Sequence, residues 1–108
     1  MRCLTIQIPS EFIADFDRTE FLFRVRALGR SPEIDAVNEG GKCYLSFHFF
    51  TEMPVKLWND LRQFIYDDPD YGPIISACSI AVCDTETEAD EYLLLHHFDP
   101  TEPRDSLR

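Results

Sequence analysis

Glu20-Phe21-Leu22-Phe23-Arg24-Val25-Arg26-Ala27-Leu28 is the stretch on which the fold turns. As a strand it alternates: Phe21, Phe23, Val25 and Ala27 face one way, while Arg24 and Arg26 face the other. As a helix its apolar residues Phe21, Leu22, Phe23, Val25 and Leu28 scatter around the circumference and define no core-facing stripe. The strand reading is therefore preferred. It gives the order strand, short helix, strand, strand, strand, long helix, strand, strand.

On the N-terminal side, Cys3 to Pro9 puts Leu4, Ile6 and Ile8 on one face and Thr5 and Gln7 on the other, a strand stopped by proline. Ser10 offers an N-cap for a short helix over about 10–17, in which Phe12, Ile13 and Phe16 share a face. On the C-terminal side, Gly29 to Pro32 breaks the chain. Glu33 to Asn38 and Lys42 to Phe50 then form a hairpin through Asn38-Glu39-Gly40-Gly41. In its second arm Cys43, Leu45, Phe47 and Phe49 take the core face, and Tyr44, Ser46, His48 and Phe50 the opposite one. A second face with two aromatics is either covered or used for contact.

A long helix over about 53–67 starts near Thr51 or Met53 and tolerates Pro54 in its first turn. Leu57, Trp58, Leu61, Phe64 and Ile65 follow its period, and it ends at Asp67-Asp68-Pro69. A strand from Ile74 or Ile75 to Cys83 and a last strand from Tyr92 to Phe98 follow. Pro100 and Pro103 lead a polar tail expected to fray. The sequence thus predicts the α+β class: a mostly antiparallel sheet of five to six strands with the two helices on one face, in a single domain over 1–99 with a tail over 100–108. If 20–28 is helical, the order becomes βαββαββ, which resembles a ferredoxin-like arrangement with an added hairpin.

The chain has 108 residues, 44% of them hydrophobic, enough for one core and too few for two. Twenty acids against ten Lys and Arg give a net charge of −10, which argues against nucleic acid and anionic membrane as partners. No apolar run is long enough to span a bilayer, and the N-terminus lacks the apolar block of a secretory signal, so a cytoplasmic location is expected. Cys3, Cys43, Cys78 and Cys83 fall in segments read as strands, have no C-x-x-C spacing and read as buried thiols.

Candidate chemistry is sparse. His96 and His97 are adjacent in a predicted strand, so without a bulge they point to opposite faces. A set of His97, Asp99 and His48 would suit zinc, but nothing in the spacing selects for it. Ser46 and His48 share a strand face without a local nucleophile motif, and Gly40-Gly41 fits a turn rather than a phosphate loop. No catalytic residue, metal or cofactor is assigned.

Charge carries more. Residues 1–50 hold seven acids and six bases, whereas 51–108 hold thirteen acids and four bases. Two clusters stand out: Asp67, Asp68 and Asp70, and then Asp84, Glu86, Glu88, Asp90 and Glu91. Asp67 and Asp68 sit at the unfavourable end of a helix dipole, so helix stability does not explain them. The clusters read either as solvated loops that aid solubility or as a surface that steers a basic partner. In size and charge the chain resembles small acidic inhibitors such as toxin-immunity proteins. That resemblance implies a non-enzymatic protein whose acidic half docks on a basic protein surface, for example a nuclease cleft. The alternatives are a ferredoxin-like ligand-binding or catalytic module using the Tyr44, Ser46, His48, Phe50 face, and a homodimer or larger self-assembly through that face.

Overall fold

A computed structural model describes residues 1–85 and 92–107. Five strands form one antiparallel sheet: β1 (Arg2–Pro9), β2 (Glu33–Glu39), β3 (Lys42–Thr51), β4 (Ile80–Asp84) and β5 (Tyr92–His96), in the spatial order β2-β3-β1-β4-β5. The helices are α1 (Ser10–Ile13), α2 (Arg18–Ala27), α3 (Pro54–Leu61) and α4 (Gly72–Ser76), with a π-helical turn over Arg62–Tyr66 continuing α3. The α+β class and the five-stranded antiparallel sheet are as expected, and the helices are short.

Residues 20–27 are helical and Leu28 caps the helix, which corrects the strand reading and leaves the βαββαββ order. The reason lies in the two ends of α2. Asp17 caps it by accepting the Glu20 amide at 3.0 Å, and the Glu20 carboxylate takes the Arg24 guanidinium at 2.8 Å one turn on. At the other end Gly29 adopts φ 77°. The Gly29 amide bonds to Arg26 O and the Arg30 amide to Val25 O, the paired bonds of a Schellman stop. Only Phe21 and Val25, one turn apart, are fully buried, while Phe23 is 71% exposed. An exposed phenylalanine made the strand alternation look real.

Further on, Gly40 and Gly41, both at positive φ, form the two-residue turn expected between β2 and β3. Thr51 ends β3 rather than starting a helix, and its hydroxyl accepts the Met53 amide at 2.9 Å just ahead of α3. The π turn spaces the buried side chains as Leu57, Leu61 and Ile65, so Phe64, expected on the core face, is 52% exposed. The predicted strand from Ile74 is also corrected. Gly72–Ser76 is helical, with Pro73 in its first turn, and β4 begins only at Ile80. The last strand stops at His96, short of Phe98.

One core joins the sheet to the helices. Leu4, Ile6, Ile8, Phe47, Ala81 and Cys83 from the strands meet Phe21, Val25, Leu57, Leu61, Ile65 and Ile75, all fully buried. The Phe21 and Phe47 rings meet in a tilted contact at 4.6 Å between centroids, with Phe16 within 6 Å of both. In the segment expected to fray, the Asp105 amide donates to Leu94 O at 2.7 Å and its carboxylate accepts the Leu94 amide at 2.8 Å. No helix among the described residues is long and apolar enough to cross a membrane. Of the cysteines expected to be buried, Cys83 is, Cys3 and Cys78 are partly so, and Cys43 is exposed; Cys78 precedes β4 in a turn.

Phe21→Ala is expected to cost about 3–5 kcal/mol in urea unfolding, and Phe23→Ala no more than about 0.5 kcal/mol. Equal costs at the two positions would contradict the helix.

Candidate functional site

The described members of the two acidic clusters have different local partners. Asp84 lies at the far end of β4, beside the start of β1. There its carboxylate accepts Arg2 Nε at 3.1 Å and the Cys3 amide at 3.1 Å. Glu86, Glu88, Asp90 and Glu91 fall outside the described residues. Asp67, Asp68 and Asp70 lie before α4, near the opposite end of β4. Asp68 there accepts the Asp70 and Tyr71 amides at 2.9 and 2.8 Å and pairs with Arg24 at 3.4 Å. The helix-dipole reading is corrected for Asp68: this carboxylate holds the turn into α4 and ties it to α2. Those amide bonds, with Arg24 assisting, hold its carboxyl below the usual carboxylate value.

Asp70 instead joins acids from the first half of the chain. Asp15, Asp17, Glu20 and Asp70 rim a depression of about 310 Å3 whose floor is Phe16, Tyr71 and Ile74. The Arg24 guanidinium lies 4.4 Å over the Tyr71 ring within it. Four carboxylates thus surround one guanidinium and an apolar centre in which Ile74 is 61% exposed. A smaller apolar hollow between Phe12, Phe16, Ile74 and Cys78 adjoins it. Sequence reasoning missed Asp15, Asp17 and Glu20, because their half of the chain is nearly neutral; the available signal was the predicted helix at 10–17, which ends among them.

The opposite sheet face carries the alternative residues. Register pairs Thr5 with His48, Gln7 with Ser46 and Cys3 with Phe50 on this face. His48 lines a depression of about 290 Å3 with Thr5, Gln7, Val37, Val82 and Tyr92. Tyr44, Ser46 and Phe50 do not line it: Phe50 is half exposed, and Ser46 is fully buried with its hydroxyl unpartnered among the described residues. Thr5 Oγ1 and His48 Nδ1 are 2.9 Å apart, and Cys3 Sγ lies 4.0 Å from the same nitrogen. Burial pushes the Cys3 thiol up, which keeps it protonated at neutral pH, and a thiol is a poor nucleophile.

His97 and Asp99 bond to each other through the Asp99 amide and His97 Nδ1 at 3.0 Å, whereas His48 lines a different depression. The three residues of the weighed zinc set are not brought together. Comparison with protein families, curated proteins and solved structures finds no match to this chain.

Two variants check these assignments. Asp68 has a lowered pKa in the folded state, so it contributes stability above its ordinary value of 3.8 that is lost as pH falls through the lowered one. Asp68→Asn should flatten that part of a stability-against-pH curve; an unchanged acid limb counts against the role. Ser46→Ala, which removes an unpartnered buried hydroxyl, should leave the melting temperature unchanged or raise it.

Proposed function

We propose that the protein is a non-enzymatic binding module that docks the acid-rimmed surface of α1, α2 and α4 on a basic protein surface. The observation that carries this reading is the combination of exposed Ile74 and half-buried Phe16 with Asp15, Asp17, Glu20 and Asp70 around them. An apolar centre supplies the buried contact area of an interface, and a charged rim supplies steering and register. A partner that normally grips phosphates presents Lys and Arg at spacings carboxylates can meet, so a nucleic-acid-binding cleft on another protein is the leading target class. Occupying that cleft would inhibit by exclusion. Association should accelerate at low salt, because exposed charges are screened beyond about 8 Å at physiological ionic strength.

A second reading rests on a different observation, the depression lined by His48 on the sheet face. It would hold a small apolar or aromatic ligand, or seat a second copy of the chain.

Hydrogen exchange on the captured complex separates the two. Docking as proposed protects amides in α1, α2 and α4, whereas protection confined to β1 and β3 favours the sheet face. Asp15→Asn, Asp17→Asn and Asp70→Asn combined should slow association about tenfold or more at low salt while dissociation changes little. Asparagine still caps a helix, so α2 is preserved in this variant. Association that is indifferent both to salt and to this variant would rule the acidic surface out.

A further inference from the structure

A further depression, about 510 Å3, lies between the end of α3 with its π turn, α4, and the end of β5 with the residues that follow it. Its chemistry is unlike the rest of the molecule. Arg2, Arg24, Arg30 and Lys56 each pair with a carboxylate. Arg18, Arg26, Lys42, Arg62 and Arg104 have no carboxylate partner among the described residues, and two of these, Arg62 and Arg104, line this one groove. The Arg62 guanidinium donates to the neutral Asn59 Oδ1 at 3.3 Å. Arg104 is placed beside β5 by the two hydrogen bonds of the next residue, Asp105, to Leu94.

The other lining groups are donors or ring faces. A shift in register between β4 and β5 pairs Ala81 with His96 and Val82 with Leu94, which leaves Leu95 as a bulge; His96 and His97, the latter just past the end of β5, both line the groove. His97 Nδ1 accepts the Asp99 amide, which leaves the ring hydrogen on Nε2 as a donor. His96 Nε2 donates to Ser76 O at 2.9 Å, and its ring lies 4.7 Å from that of Tyr66. The Tyr66 hydroxyl is engaged with Ser79 Oγ at 2.8 Å, and the Trp58 ring stands 5.5 Å from Tyr66. The Trp58 indole N–H has no hydrogen-bond partner among the described residues, and Asp67 brings the one carboxylate of the lining.

We infer that this groove binds a small aromatic anion, its ring against Trp58 and Tyr66 and its carboxylate or phosphate on Arg62 and Arg104. Guanidinium pairs recognise both oxyanions, and a concave site with aromatic walls and a few convergent donors is the usual form of a small-ligand pocket. The inference is independent of the acidic docking surface: both border α4, but the groove shares none of the residues that line the acid-rimmed depression.

Trp58 is the sole tryptophan, so its emission reports the groove directly. The full-length protein is titrated with benzoate, with adenosine monophosphate and with inorganic phosphate. A saturable change with either aromatic ligand is expected. Response to benzoate alone identifies a carboxylate ligand, response to the nucleotide alone identifies a phosphate ligand, and response to both supports the general class. Arg62→Gln or Arg104→Gln should each weaken binding about tenfold, without changing the urea midpoint. Asp15→Asn with Asp17→Asn and Asp70→Asn should leave binding unchanged. Non-saturating quenching by both aromatic ligands, an affinity in both arginine variants equal to that of the unsubstituted protein, or inorganic phosphate binding as tightly as the nucleotide would overturn the inference.

Discussion

The contact between Phe21 and Phe47, with Phe16 leaning on both, is the constraint from which the rest of the molecule follows. It presses α2 against β3, and β3 lies between β1 and β2. With both pairings antiparallel, β1 and β2 run the same way, and the chain must cross over the core face between them. That crossover places the helices on one side. Leu57, Leu61, Ile65 and Ile75 then complete the same core, and the face bearing His48 is left to other uses. Aromatic rings in tilted contact add specificity to the area they bury, so the crossover is fixed in register as well as in place.

The strands were largely legible because β1, β3 and the paired glycines obey period two and the chemistry of a tight turn. The failures have local causes. In α2 the exposed Phe23 imitated alternation, while the decisive signal was Asp17 three residues before Glu20, a cap pattern outside the segment being weighed. Around Ile74 and Ile75 a short apolar run reads as a strand, although Gly72-Pro73 is an equally good helix opening. Phe64 left the core because a π turn interrupts the 3.6-residue count, and periodicity alone does not announce such a turn.

The sites were less legible than the fold, and electrostatics shows why. Counting charge along the chain singled out runs, but Asp68 and Asp84 within those runs serve the turn into α4 and the junction with β1. The acid-rimmed depression draws three of its four acids from the half of the chain that counts as nearly neutral. The groove of Arg62 and Arg104 is assembled by a bulge and by the return of the chain along β5, neither of which leaves a motif. Net charge described the solvent environment of the whole protein and concealed a cationic recess within it.

The paired bonds between Asp105 and Leu94 also matter for the life of the protein at high concentration. A sheet with open margins invites another chain to add a strand, and that is a route to fibres. Along β5 the residue Leu94 has its amide and carbonyl occupied by a side chain and a backbone from the same molecule. On the other margin β2 places Glu33 and Asp35, where a docking strand would meet negative charge. One edge is thus partly covered by the chain's own return and the other carries negative charge, and both features work against the addition of a further strand.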